Sequence, residues 1–198
     1  MSTAVYVHFP WCLQKCPYCD FASASIRRPD VPHQTYADAV LRELAWHRAE
    51  GSLGQLRSVF FGGGTPSLWA ADELGRVLSG ILAAFDGHAP DLEITVECNP
   101  SSLDVEKAQA LAAVGVNRLS VGVQALDEGR LRYLGRLHDA QGALRALRSA
   151  PGFAGRRPRR KLLLREQGVL PRPAIRSRLA GLASRRRCAG QRDDGGLR

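Results

Sequence analysis

Four times between residues 4 and 147 a short β-branched or apolar run passes, through a few turn residues, into a stretch with helical apolar spacing, and few folds accommodate that alternation. Residues 4–9, 58–61, 92–97 and 116–123 read as strands, and 35–48, 70–85, 105–114, 126–134 and 140–147 as helices. On the second helix Leu74, Val77, Leu78, Ile81 and Leu82 share one face, and a Gly87/Pro90 break follows. Asp104 is placed to cap the third helix and Gly115 to end it. Strands that alternate with single helices through short links pair in parallel, with the helices as crossovers. The expected fold class is therefore α/β: a partial (β/α) barrel of about four βα units. In such a barrel chemistry collects just beyond the C-terminal ends of the strands, so those four places carry the candidate residues.

The first strand runs directly into Trp11-Cys12-Leu13-Gln14-Lys15-Cys16-Pro17-Tyr18-Cys19-Asp20-Phe21. Three thiols within eight residues form a metal-cluster loop, because cysteine thiolates hold iron–sulfur clusters and three of them leave one iron of a cubane open to a substrate. Zinc is the rival: three cysteines with His8 or His33 would make a closed Cys3His site, but zinc ribbons pair two knuckles and no second knuckle follows. Five cysteines is an odd count for a disulfide framework. No apolar stretch is long enough to span a membrane, and Met1-Ser2-Thr3-Ala4-Val5 lacks the basic and apolar regions of a secretory peptide. A reducing, cytoplasmic setting is expected.

The other strand ends add polar and flexible residues. Gly62-Gly63-Gly64-Thr65-Pro66 follows the second strand, where missing side chains let main chain approach a ligand, or simply turn tightly. Glu97-Cys98-Asn99-Pro100 puts a carboxylate after the third strand, a common way to hold ribose hydroxyls; Cys98 reads as a small buried hydrophobe. Gly122-Val123-Gln124 ends the fourth with an amide. Each feature is ordinary alone. Their succession on four consecutive strand ends is what marks a site.

These residues resemble the radical S-adenosylmethionine (SAM) family, whose signature is C-x3-C-x2-C with an aromatic residue before the last cysteine, here Tyr18. Tyr6-Val7-His8-Phe9-Pro10-Trp11-Cys12 and Gly62-Gly63-Gly64-Thr65-Pro66-Ser67 are similar to the group containing oxygen-independent coproporphyrinogen III oxidases and haem chaperones of the HemW type. The likeness runs from about residue 4 to about residue 148. It implies that Cys12, Cys16 and Cys19 hold a [4Fe–4S] cluster whose open iron takes SAM. By position, Tyr6 and Tyr18 would line the SAM site, Gly63, Gly64 and Thr65 would hold its ammonium, and Glu97 would lie near its ribose. Gln124 and Arg136 match further polar positions around the cofactor. The oxidases resemble C-x3-C-x2-C-x-C, whereas Phe21 occupies that last position here, as in the chaperone branch. The resemblance thus implies a haem chaperone, with haem as cargo, haem-accepting proteins as partners and a homodimer. The alternative is an oxidase that decarboxylates a porphyrinogen using SAM.

The family pattern, and with it the balanced charge, stops near residue 150. Residues 1–150 carry 14 Lys and Arg against 16 Asp and Glu, whereas 151–198 carry 14 against 3, so the net charge of +9 belongs to the second part. The barrel continuation expected of the family, an Asp-Leu-Ile-x-Gly-Leu-Pro-Gly strand end and a later domain, does not appear. Residues 151–198 are expected to be an irregular Arg-rich tail, disordered or read from another frame of a G+C-rich gene. A basic arm binding nucleic acid through phosphates is the competing expectation, disfavoured because Phe153 is its only aromatic residue. On that view the chain is an inactive, truncated remnant.

Overall fold

The computed structural model describes residues 2–150, Phe153 and the backbone of Lys161–Leu164. All of these belong to the first of two compact units, Met1–Glu166; the second, Gln167–Arg198, lies outside the described residues, and so does most of the expected Arg-rich tail. The strands are β1 (Ser2–Phe9), β2 (Trp11–Cys12), β3 (Ala24–Ser25), β4 (Gln55–Gly63), β5 (Gly87–Cys98), β6 (Arg118–Val121) and β7 (Lys161–Leu164). The helices are α1 (His33–Ala49), α2 (Ala71–Ala84), α3 (Val105–Ala113), α4 (Glu128–Tyr133) and α5 (Ala140–Arg148).

Five strands pair in the order β1-β4-β5-β6-β7, every pair parallel, so the main sheet is the crossover sheet that the alternation implies. Period-2 alternation sorts side chains onto its two faces. Val7, Phe9, Val59, Phe61, Ile94, Val96, Leu119 and Val121 enter one continuous core with Ala37 of α1, Leu74, Val77, Leu78 and Ile81 of α2, and Leu111 of α3. The alternate positions hold Tyr6, His8, Phe60, Glu93, Thr95, Glu97, Arg118 and Ser120, so the other face is mostly polar, with Phe60 stacked on Tyr6. There Arg118 pairs with Glu93 at 2.8 Å and donates to Thr95 Oγ1 at 3.3 Å.

Several boundaries depart from the sequence expectation: β4 runs over Gln55–Gly63 rather than 58–61, and three further differences concern β5, β6 and β7. β5 starts at Gly87, before the expected 92, and absorbs Pro90 where its register with β4 slips between Leu56 and Ser58. β6 is shorter than 116–123: it starts after Asn117, which joins β5 through its own N–H to Ile94 O at 3.1 Å and through its side chain, Oδ1 accepting from Ile94 N–H at 2.7 Å and Nδ2 donating to Leu92 O at 2.8 Å, and it ends at Val121. The stretch expected to be irregular contains β7, which pairs with β6 from Arg118↔Lys161 to Val121↔Leu164.

An aromatic cluster fastens β1 to the helices. Phe9 contacts Trp11, Tyr36 and Trp69 at ring separations of 5.3, 5.7 and 5.5 Å. Trp69 is fully buried and donates from Nε1 to His33 O at 3.0 Å, while the Tyr36 hydroxyl donates to His8 O. Burial drives the Tyr36 hydroxyl up to about 12, keeping it a neutral donor at every physiological pH. Trp69→Ala removes the largest fully buried side chain and is expected to lower unfolding free energy by about 3–5 kcal/mol, measured by urea denaturation.

Candidate cofactor site at the strand ends

The ladder between β1 and β4 does not stop where the strands do. Gly64 N–H donates to Phe9 O at 2.7 Å and Thr65 N–H to Trp11 O at 2.8 Å, which draws the glycine turn against the first residues of the cysteine loop. A side chain cannot replace hydrogen here: a Cβ on Gly64 would stand 2.5 Å from Trp11 O and 2.9 Å from Phe9 O, both fixed backbone atoms. Gly63 N–H is also spent, on Glu97 Oε2 at 3.2 Å. Thr65 O in turn accepts from Leu68 N–H at 2.9 Å. Residues 63–65 therefore keep no amide donor for an anion and offer a ligand the Gly63 and Gly64 carbonyls and the Thr65 hydroxyl, which suits a cationic group such as an ammonium.

The cysteine loop returns beside itself through β2 and β3, with Trp11↔Ala24 and Cys12↔Ser25 in parallel register. Cys12, Cys16 and Cys19 carry free, half-buried thiols, and Cys19 N–H closes a turn onto Cys16 O at 3.0 Å. Among the described residues no three His, Cys, Asp or Glu side chains are gathered closely as a metal-ligand group. His8 is engaged elsewhere: Nε2 donates to Ala22 O at 2.7 Å, which leaves Nδ1 to accept the Tyr6 hydroxyl at 3.1 Å. His33 Nδ1 accepts from Ala70 N–H at 3.0 Å. His8 thus has both ring nitrogens engaged and His33 its Nδ1. Cys98 is a buried thiol raised to about 12 by burial, with Sγ 3.7 Å from Val96 O, and it stays a neutral core residue.

Arg136 reaches the loop across 120 residues of sequence. Nη1 donates to Cys16 Sγ and to Tyr18 Oη, both at 3.4 Å, and Nη2 donates to Gly122 O at 2.7 Å. Burial raises the Tyr18 hydroxyl to about 12, with Arg136 opposing that rise and Cys16 adding to it. Gln124 folds over the same strand end: a Cβ on Gly122 would meet Gln124 Nε2 at 2.9 Å and Arg136 Nη2 at 3.8 Å. Gln124 does so with φ +70°, a left-handed conformation costly for a residue with a side chain and concentrated at functional sites. Its buried Oε1 has no partner, nor has the buried Nε of Arg136. One acceptor and one donor thus wait at the end of β6.

The sequence-derived residues form two groups. Cys16, Tyr18, Gln124 and Arg136 converge with Gly122; Gly63 and Glu97 are bonded to each other, and Glu97 adds to the burial that raises the hydroxyl of half-exposed Tyr6. The Gly64 and Thr65 amides, bonded to Phe9 and Trp11, connect the second group to the start of the loop. A cleft lined by Cys16, Thr65, Asn99, Ser101, Arg136 and Leu137 opens between them. Asn99 and Ser101 were not legible in sequence; the Asn-Pro turn that places them carried the only signal.

The Radical SAM superfamily model matches residues 6–153. The chain belongs to the radical SAM superfamily. Among curated relatives, the heme chaperone HemW of Escherichia coli is 40% identical over 150 residues, 76% of this chain and 39% of that protein. Radical S-adenosyl methionine domain-containing protein 1, mitochondrial, of Bos taurus is 40% identical over 160 residues, 77% of this chain and 34% of the relative. The solved radical SAM enzyme coproporphyrinogen III oxidase (HemN) from Escherichia coli superposes with a TM-score of 0.67 at 26% identity, over 76% of this chain and 34% of the other. This radical SAM chain therefore spans roughly two-fifths or less of the relatives it matches. The superfamily implies a [4Fe–4S] cluster and SAM as its cofactors.

Burial lowers the pKa of His33, with Lys107 adding to the effect, and burial lowers that of His138, with Arg136 adding. His138 Nε2 donates to Val123 O at 3.1 Å where the chain leaves β6, a bond that works against the lowering by burial. A histidine with a depressed folded pKa binds its proton more readily when unfolded, so stability rises with pH between the two values. Its contribution is complete above the unfolded value near about 6.5 and fades as pH falls through the lower folded value. Urea midpoints are expected to drop as pH is lowered from 7 to 5, and His33→Gln, His138→Gln should flatten that slope.

Proposed function

We propose that this chain is the cofactor-binding part of a haem chaperone of the HemW kind, with Cys12, Cys16 and Cys19 holding a [4Fe–4S] cluster and SAM seated on the neighbouring strand ends. The observation that carries the reading is that Arg136 joins Cys16 and Tyr18 of the cysteine loop to the end of β6, where Gln124 also lies, with an unpaired buried donor and acceptor left over. The donor set fits the group. Three free thiols on one short loop are soft anionic ligands for iron, and Cys98, the other described cysteine, is withdrawn into the core.

When bound, the cluster and SAM supply one-electron chemistry, and the protein supplies binding and orientation. The Gly63 and Gly64 carbonyl oxygens and the Thr65 hydroxyl, on a turn whose amides are spent, would take the ammonium of SAM. Arg136 would offer its free Nε–H to the carboxylate, a charge-assisted bond that its other two nitrogens orient by holding Cys16, Tyr18 and Gly122. Glu97, tethered to Gly63, would lie near the ribose, and Gln124 would fill its empty Oε1 from a ligand hydroxyl or amine. Tyr6, exposed beside Glu97 and His8, would cover the site from β1.

Haem as cargo, rather than porphyrinogen as substrate, rests on Phe21. That ring stands 48% exposed two residues after Cys19, where a further cysteine would mark the oxidase pattern. Haem-accepting proteins and a second copy of the chain are the proposed partners, and the reducing cytoplasm is the proposed setting for its free thiols. Among the described residues no helix is long and apolar enough to cross a membrane. The test is anaerobic reconstitution with iron and sulfide followed by haem titration. About four iron ions per chain and a saturable haem spectrum are expected. Iron uptake with porphyrinogen decarboxylation and no haem binding would favour the oxidase, whereas tight zinc without iron would refute the cluster. Cys16→Ala should abolish iron uptake while leaving the circular dichroism of the fold in place.

A further inference from the structure

Lys15 lies between the first two cysteines, and nothing assigned so far gives it a task. Its ammonium turns back across the loop: Nζ donates to Phe21 O at 3.1 Å and to Ser23 O at 3.2 Å. Its backbone N–H donates to Ser25 Oγ at 3.1 Å. The carbonyl between those two, Ala22 O, accepts from His8 Nε2 at 2.7 Å. Three consecutive carbonyls just after Cys19 are therefore taken by two side chains, one from inside the cysteine motif and one from β1. The backbone bonds Ala24 N–H to Pro10 O and Ile26 N–H to Cys12 O, both 2.8 Å, complete the seam.

The chemistry explains why a lysine suits this place. A loop of this length returning on itself turns a row of carbonyls toward one side, of which Phe21 O also accepts Ser23 N–H at 2.8 Å, and an ammonium has three donors and no acceptor, so one side chain can bridge two of them. Charge-assisted bonds from a cation are stronger than neutral ones. Lys15 belongs to the arm between Cys12 and Cys16, and Phe21 and Ser23 belong to the arm after Cys19, so these bonds set the distance between the two arms that flank Cys16 and Cys19. We propose that Lys15 is a positioning residue that holds the cysteine loop in its cluster-binding shape, with His8 as its second anchor. This rests on the proposed cluster at Cys12, Cys16 and Cys19. Lys15 needs no contact with the cluster to act.

Lys15→Met keeps the aliphatic stem and removes the donors; Lys15→Arg keeps charge and donors. Three chains are compared after anaerobic reconstitution: wild type, K15M and K15R. K15M is expected to lose iron to a chelator about tenfold faster than wild type, the factor that ~1.4 kcal/mol represents, with K15R close to wild type. The thermal melting of the metal-free chains should be the same for all three, because Lys15 is exposed and outside the core. A second readout needs no metal: amide exchange at Ala24 and Ile26 should quicken in K15M and recover in K15R. Equal chelator kinetics in loaded wild type and K15M, or unchanged exchange at those amides, would overturn the role of Lys15. A wild-type chain that takes up no iron overturns the cluster reading itself, and the exchange data then show separately whether Lys15 shapes the loop.

Discussion

Two hydrogen bonds set the geometry on which the rest depends: Gly64 N–H to Phe9 O and Thr65 N–H to Trp11 O. They carry the parallel pairing of β1 and β4 beyond the last strand residues, so the glycine turn and the cysteine loop leave the sheet as neighbours. The pairing requires main chain to approach main chain at a distance where Gly64 tolerates no Cβ. Once that contact is made, β5 in register with β4 brings Glu97 to Gly63, and β6 in register with β5 brings Gly122 and Gln124 alongside. A parallel sheet thus turns residues scattered over more than a hundred positions into one edge, and that edge is where the chemistry is proposed.

Arg136 supplies what the sheet cannot. Strand register orders the strand ends, but the cysteine loop has of its own a short β2–β3 pairing and the Lys15 bridge. Arg136 clamps it from the far side through Cys16 and Tyr18 while anchored on Gly122 O. The cost is visible in the left-handed backbone of Gln124 and in the unpaired Arg136 Nε and Gln124 Oε1. Buried polar atoms are seldom left unsatisfied, and a strand end that tolerates two of them is shaped for something that binds there.

Much of this was legible in the sequence, for identifiable reasons. The helix-facing strand positions are strongly apolar, as at Val59, Phe61, Val96 and Leu119, so the alternation and the parallel sheet follow from pattern. The cysteine spacing and the order of polar residues on successive strand ends pointed to the superfamily that the domain match confirms. Other features depend on tertiary contacts without a local signature. The early start of β5 through Pro90, the late start of β6 behind the Asn117 side chain, and β7 within an Arg-rich stretch are of this kind. So is the Lys15 bridge, since a lysine between two cysteines reads as a solvated charge until the return arm is seen beside it.

The central claim is that these strand ends form one cofactor site, in which SAM sits next to the iron held by the three thiols. Electron paramagnetic resonance of the reduced, reconstituted chain, recorded with and without SAM, tests this most directly. The account predicts a [4Fe–4S] signal that changes on SAM addition in wild type and no longer changes in Glu97→Gln, Arg136→Met. A cluster signal indifferent to SAM in the wild-type chain would contradict it.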